Sequence, residues 1–224
     1  MAIDQDKLHE FLVKAIVDFG ATFNAALIRI GDKLGLYKAL AAGGPQTSAE
    51  LAKKTGTAER YVREWLSAQA AGGYVTYDPG AGKFHLSEEQ AFAMADEGSP
   101  VFLPGAFQAA LAAVKAEELL TERFKTGKGL GWHEHHHELF EGTERFFRPG
   151  YAANLVATWI PSLEDVDQKL KSGGRVADVG CGLGASTILM AKSYPKSEFA
   201  GFDSYNRVHA RIKIDSAIED LDSD

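Results

Sequence analysis

The residues best suited to chemistry lie near the carboxyl end of the chain, in a glycine-rich turn between a predicted strand and a predicted helix. Gly180, Gly182 and Gly184 follow the short apolar stretch 176–179 with the spacing G-x-G-x-G. A strand, a glycine-rich turn and a helix in this order bring the backbone close to a nucleotide-like ligand at the carboxyl end of a parallel strand. The turn therefore predicts a ligand site.

Two carboxylates flank this turn and narrow the class of ligand. Asp178 lies two positions before the first glycine, and Asp203 ends a second predicted strand, 198–202. A pyrophosphate gains little from a carboxylate so close to its phosphates, whereas an amine-bearing or cationic ligand does gain from it. An acid at the tip of the second strand can accept hydrogen bonds from both ribose hydroxyls. S-adenosylmethionine meets both demands, and a glycine turn that serves only packing is the alternative.

A histidine tract offers a competing kind of chemistry. His133, Glu134 and His137 match H-E-x-x-H, the pattern that sets two zinc-binding histidines one helical turn apart with a glutamate base between them. Four histidines in five positions satisfy many spacings by chance, and the tract follows a glycine-rich loop rather than a strong helical pattern. A zinc hydrolase is an alternative function, and we assign no metal to the chain.

Two further features near the turn carry other interpretations. Cys181 lies inside the glycine turn, where a small side chain is needed, and nothing around it indicates a reactive thiolate. Phe146, Phe147, Arg148 and Tyr151 are predicted to be core residues, with closure over the ligand as the alternative. The sequence identifies no catalytic base.

Composition bounds the class of protein. The 224 residues are 45% apolar and 25% charged, which excludes a disordered or fibrous chain. A single cysteine excludes an internal disulfide and predicts a reducing, cytoplasmic compartment. The longest uncharged run, 98–114, is too short for a membrane span, and the amino terminus shows no secretory signal. The formal charge of −7 opposes attraction to nucleic acid and to acidic membranes.

The first half of the chain predicts a helical domain that contains a winged helix. Capping boxes at Thr47 and Ser87 start helices, and Thr57 can cap the helix between them. Two β-rich stretches, 74–77 and 83–86, surround a turn-forming segment and predict a hairpin. Short helix, second helix and hairpin in this order indicate a winged helix.

The charge and apolar patterns of this half predict its partners. Apolar residues recur at helical spacing through 5–42, and this face predicts a homodimer contact, with packing on the next segment as the alternative. In the second helix of the pair, Arg60 and Arg63 are accompanied by Glu59 and Glu64. A DNA-binding helix normally has a clear basic excess, so we expect no DNA binding.

The segment 178–203 resembles the first and second motifs of class I S-adenosylmethionine-dependent methyltransferases, and the winged helix at 22–94 resembles the amino-terminal half of bacterial members. This resemblance implies a methyltransferase for a small-molecule acceptor of unknown identity, with a winged helix that builds dimers. It also implies the ligand contacts: the glycines line the methionine end, Asp178 orients the amino group and Asp203 holds the ribose. The residues so assigned to S-adenosylmethionine are Asp178, Gly180, Cys181, Gly182, Gly184 and Asp203.

The predicted fold class is mixed: an α+β winged-helix and dimerisation domain over 1–98, connecting helices over 99–172, and a partial α/β domain over 173–224. This last part holds the first β-α-β unit of a doubly wound sheet, because the 224 − 174 = 50 residues from Arg175 onward are too few for the whole family domain. We therefore expect a carboxy-terminally truncated and impaired methyltransferase. A winged-helix regulatory or dimerisation protein with a vestigial methyltransferase domain is the alternative, and the tail 206–224 does not align with the next helix of the family.

Overall fold

The structure is a computed structural model that describes residues 3–203, and the chain divides into two compact units. The first unit extends to Glu97 and includes Phe102–Phe107, and the second contains Gly98–Val101 and the chain from Gln108 onward. The predicted division of 99–224 into connecting helices and a partial catalytic domain stays a prediction. The tail 206–224 lies outside the described residues.

The first unit is the predicted winged helix, preceded by a long helix. The two strands pair antiparallel, with Thr76 opposite His85 and Asp78 opposite Lys83. The elements are α1 (Gln5–Lys33), α2 (Leu36–Gly43), α3 (Ser48–Thr55), α4 (Glu59–Ala71), β1 (Thr76–Asp78), β2 (Lys83–His85) and α5 (Glu88–Met94), followed by α6 (Pro104–Val114), which begins in this unit.

Local sequence explains most of the helix starts. Thr47 and Ser87 each form the predicted capping box with the residue three positions later. The prediction that Thr57 caps α4 is wrong, since α4 follows Ala58, which makes no side-chain cap. The Thr57 hydroxyl lies 2.8 Å from the hydroxyl of Thr55, and this contact takes it away from the first turn of α4.

The core of this unit anchors the carboxyl end of α1 to the winged helix. Trp65 and Tyr37 pack edge to face with ring centroids 5.1 Å apart. Trp65 Nε1 donates to the Leu27 carbonyl oxygen at 2.8 Å, and the Tyr37 hydroxyl donates to Gln69 Oε1 at 2.6 Å. Each ring is therefore held in place both by packing against the other and by a hydrogen bond.

The amino-terminal half of α1 lies outside this core. Phe11, Ile16, Phe19 and Phe23 are each more than half exposed, so an apolar face runs along the helix. By length and composition alone, α1 could cross a membrane, a test that core helices and signal sequences also pass. The helix thus offers an apolar surface that the rest of the described unit does not cover.

The second unit contains the predicted β-α-β unit. Its two strands pair in parallel, from Arg175 opposite Glu198 to Val179 opposite Phe202, and a helix connects them. With most of α6, its elements are α7 (Glu117–Thr126), a 3₁₀ turn (Trp132–Glu134), α8 (His137–Asn154), a π-helical turn (Leu155–Trp159), α9 (Val166–Ser172), β3 (Arg175–Val179), α10 (Ala185–Ser193) and β4 (Glu198–Phe202).

A small core fixes the β-α-β unit against the helices that precede it. Phe199 of β4 and Ala191 of α10 are buried with Ile160 and Leu170. The Tyr194 hydroxyl, at the end of α10, donates to Asp167 Oδ1 in α9 at 2.9 Å. Burial, followed by the hydrogen bond and charge of Asp167, raises the pKa of Tyr194 to about 12.

Candidate functional site

An open cleft of about 760 Å³ lies in the second unit, at the carboxyl ends of β3 and β4. One wall is formed by the glycine turn and the ends of the two strands, where parallel α/β units bind ligands. The other wall comes from the 3₁₀ turn and α8, and its lining residues are Trp132, Phe140, Thr143, Glu144, Phe147 and Tyr151.

Backbone conformation explains the three glycines of the turn. Gly180, Gly182 and Gly184 have φ of +81°, +56° and +86°, the left-handed region that favours glycine. A Cβ at Gly180 or Gly182 would meet no atom within 4 Å, so the requirement there is conformational rather than steric. Gly180 and Gly182 line the cleft, whereas Gly184 precedes α10 and is buried outside the lining.

Asp178 ties the turn to the first turn of α10. Its Oδ2 accepts hydrogen bonds from Ser186 Oγ at 2.9 Å and from Thr187 Oγ1 at 2.6 Å, and Thr187 is fully buried. The carboxylate therefore lies beside the positive end of the α10 dipole. The contact predicted between Asp178 and the amino group of a ligand stays a prediction.

Asp203 holds the turn from the other side. Its Oδ2 accepts a hydrogen bond from the Gly182 backbone N–H at 2.8 Å. At the end of β3, the Gly180 backbone N–H donates to the Phe202 carbonyl oxygen at 2.6 Å. The structure thus brings Asp178, the turn and Asp203 together at one cleft, and the predicted role of Asp203 in ribose binding stays a prediction.

Cys181 lines the cleft and packs inside the turn, and its predicted contact with S-adenosylmethionine stays a prediction. Its side chain is buried, and a Cβ built on Gly201 of β4 would lie 2.8 Å from its Sγ. Burial raises the pKa of the Cys181 thiol, and the negative charges of Asp178 and Asp203 raise it further. The thiol is therefore neutral at physiological pH, which does not favour nucleophilic chemistry.

Two aromatic residues of α8 that were predicted to be core residues, Phe147 and Tyr151, line the cleft. The core prediction is wrong for Phe146, Phe147 and Arg148, which are exposed, and Phe147 and Tyr151 line the cleft with stacked rings whose centroids are 6.1 Å apart. Thr143, Phe147 and Tyr151 recur every fourth residue within α8, so they share one helical face. Sequence reasoning missed Trp132, Phe140, Thr143 and Glu144. Within α8 the available signals were the i, i+4 spacing of Thr143 with Phe147 and the seven-residue spacings of Phe140 with Phe147 and of Glu144 with Tyr151.

The H-E-x-x-H pattern does not form one helix. His133 and Glu134 belong to the 3₁₀ turn, the chain is extended at His135 and His136, and α8 begins at His137. His136 Nδ1 accepts a hydrogen bond from the Glu138 backbone N–H at 3.2 Å and caps the amino-terminal end of α8, so the helix begins there. Within residues 3–203 no group of three or more potential ligands is placed to hold a metal ion. The zinc-hydrolase alternative thus lacks the helical geometry it requires.

The cationic side chains of α4 are engaged within that helix. Arg63 pairs with Glu59 at 3.1 Å, and Arg60 pairs with Glu64. Two neutralised arginines do not form the basic face that phosphate binding requires. The geometry gives the regulatory alternative no specific support, and the absence of DNA binding stays a prediction.

Comparison with known proteins identifies the first unit in part and the fold of the chain. Residues 22–95 match the Rv2258c-like winged HTH domain. A comparison with curated protein sequences finds no significant match. Among solved structures, the mitomycin 7-O-methyltransferase has 20% identity and a TM-score of 0.60 over 89% of this chain and 59% of that one.

Two further structures are similar to the chain at lower identity. An O-methyltransferase family protein from Burkholderia thailandensis has 15% identity and a TM-score of 0.57 over 85% of this chain and 55% of that one. Human N-acetylserotonin methyltransferase, solved in complex with S-adenosylmethionine, has 15% identity and a TM-score of 0.52 over 90% and 61%. The chain spans about three fifths of the length of these proteins. Its fold is an Rv2258c-like winged helix followed by part of a methyltransferase-type fold.

Proposed function

We propose that this chain is an S-adenosylmethionine-dependent methyltransferase, or part of one, that acts on a small-molecule acceptor. The observation that carries the proposal is the glycine turn held between two carboxylates at the mouth of a cleft. Such a turn lets the polar end of a ligand lie close to the protein backbone. The flanking acids suit an amine and a ribose. The methyltransferase folds found by comparison support the same conclusion.

In this proposal the residues contact two parts of the ligand, its methionine end and its ribose. Gly180 and Gly182 line the methionine end, Asp178 orients its amino group through the turn, and Asp203 accepts from the ribose hydroxyls. Bound S-adenosylmethionine supplies an activated methyl group on a sulfonium sulfur. Methyl transfer further requires that the acceptor is held in line and water is excluded, and we assign no residue to that step.

We also propose that this chain binds S-adenosylmethionine weakly. The cleft is open, and on the strand ends beside it Val179 is 81% and Phe202 is 53% exposed. A ligand in such a site stays in contact with water, so its polar contacts compete with hydration. We therefore expect a dissociation constant above the micromolar range and impaired turnover.

Titration of the 224-residue chain with S-adenosylmethionine, followed by ligand-observed NMR, tests both proposals because that method detects weak binding. Asp203→Asn keeps an acceptor for the Gly182 N–H but removes the charge, and we expect it to weaken binding about tenfold. Glu198→Gln is the matched control, since it removes one charge at the opposite end of β4. Binding that is absent, or equally strong in both variants, contradicts the proposed site. Micromolar affinity contradicts only the proposed impairment.

We further infer a homodimer formed through the exposed face of α1. Phe11, Ile16 and Phe23 are exposed on a 29-residue helix, and burial of such side chains against a second copy is strongly favourable. Sedimentation equilibrium should show a dimer that Phe11→Asp converts to a monomer, while Asp6→Asn leaves it intact. Flotation of the protein with lipid vesicles in an α1-dependent manner would instead identify a membrane helix and overturn the homodimer.

A further inference from the structure

The cleft is lined by negatively charged side chains. Three carboxylates line it, those of Glu144, Asp178 and Asp203, and among the described lining residues there is no lysine, arginine or histidine. A concave site lined by charges of one sign concentrates ligands of the opposite sign.

Glu144 places one of these charges on the wall formed by α8. Its side chain is 17% exposed and pairs with Arg148 Nε at 3.5 Å. Arg148 is about half exposed and does not line the cleft, so its charge is better screened by water than that of Glu144. The stacked rings of Phe147 and Tyr151 lie on the same wall and reduce hydration there.

The start of α10 is also set against anionic ligands. The first turn of a helix normally attracts phosphate, because its backbone N–H groups and dipole favour negative charge. In this chain Asp178 accepts from the hydroxyls of Ser186 and Thr187 in that first turn. A phosphate there would lie close to a carboxylate that the fold itself holds in place.

We propose that the cleft selects its ligand by positive charge, and that Glu144 is a specificity-determining residue for the sulfonium. The inference rests on the proposed function and extends it. S-adenosylmethionine and S-adenosylhomocysteine share their adenosyl and amino-acid parts and differ by the methyl group and the sulfonium charge. When the methyl cation leaves, the electron pair of its bond stays on sulfur, which becomes a neutral thioether. The acidic cleft therefore holds the donor more tightly than the product.

The test compares the affinities of the two compounds for the 224-residue chain by ligand-observed NMR at low and high salt. We expect S-adenosylmethionine to bind about fivefold more tightly at low salt and the ratio to fall as salt screens the carboxylates. Glu144→Gln should lower the ratio about two- to fivefold, mainly through S-adenosylmethionine. Glu144→Asp should restore most of it, and ATP should not compete.

Glu141→Gln is the matched control, since it makes the same change in α8 outside the cleft lining and should leave the ratio unchanged. Equal affinity for the two compounds in the unmodified protein at low salt overturns the charge selection while supporting the adenosyl site. Equal effects of Glu144→Gln and Glu141→Gln on the ratio overturn the role of Glu144 in that selection. Absence of binding by both compounds overturns the proposed function and this inference with it.

Discussion

Gly201→Ala tests the packing that joins the glycine turn to the second strand. The new Cβ would lie 2.8 Å from Cys181 Sγ, 3.3 Å from Cys181 Cβ and 3.4 Å from Thr187 Oγ1. Overpacking of this kind costs about 1–3 kcal/mol, whereas alanine in an uncrowded strand stabilises by about 0.5–1 kcal/mol relative to glycine. We therefore expect a net loss of about 1–2 kcal/mol in the free energy of unfolding of the second unit.

A second substitution tests whether the contact with Cys181 Sγ causes this loss of stability. Cys181→Ala removes the sulfur and by itself costs about 1 kcal/mol of burial. In the Cys181→Ala background, Gly201→Ala should cost about 1 kcal/mol less than in the unmodified chain, which is the coupling of a double-mutant cycle.

Urea unfolding followed by tryptophan fluorescence measures these changes. Because Trp65 lies in the first unit, all variants carry Trp65→Phe, so the signal comes from Trp132 and Trp159 of the second unit. An unchanged or increased stability of Gly201→Ala would refute the predicted contact. An equal cost in both backgrounds would show that Cys181 is not the residue in the way.

Three further predictions concern the glycines of α1, Cys181 and Tyr194. In α1, Gly31→Ala should destabilise the first unit by about 1–3 kcal/mol because the new Cβ would lie 2.3 Å from Trp65 Cζ2. Gly20→Ala, with no atom within 4 Å, should stabilise it by about 0.5–1 kcal/mol. Urea unfolding followed by the fluorescence of Trp65, in a Trp132→Phe and Trp159→Phe background, measures the sign of both changes in the free energy of unfolding. Cys181 should react with iodoacetamide much more slowly in the native chain than in urea, with a rate that rises only above the usual thiol pKa; fast native alkylation by mass spectrometry contradicts the burial. Since the pKa of Tyr194 is raised to about 12 in the folded chain, its stabilising effect is complete below the unfolded pKa near 10 and is lost as the pH rises towards 12. The stability difference between the unmodified chain and Tyr194→Phe should therefore narrow over that range in pH-dependent urea titrations, and a constant difference contradicts it.

The sequence predicted the elements whose signals are local. The strand 198–202 has the predicted bounds, and the capping boxes at Thr47 and Ser87 start helices as expected. In each case the determining residues lie within a few positions of the element. The glycines with positive φ are equally local, because their conformation depends on the turn itself.

The sequence failed where the determining contact is not local or where two local signals compete. Thr57 has the right residue type for a cap, but its hydroxyl pairs with Thr55 instead. The aromatic residues of α8 are of types that are common in a core. Phe147 lines the cleft because α8 forms one of its walls, and this arrangement is not local in the sequence. The H-E-x-x-H pattern, which was only an alternative, does not form one zinc-binding helix because His136 caps a helix that begins inside it.

The two carboxylates beside the glycine turn shape it before any ligand binds. Asp178 fixes the start of α10 through two hydroxyls, and Asp203 fixes Gly182 through its backbone N–H. A residue that both shapes the turn and meets the ligand affects stability and affinity together when it is removed. Asparagine at either position keeps the acceptor and loses the charge, so affinity lost without a matching loss of stability would come from charge. The charge of Glu144 is different in kind, because its wall is formed by α8 rather than by the turn. Selection by charge can therefore be altered at Glu144 while the turn keeps its shape.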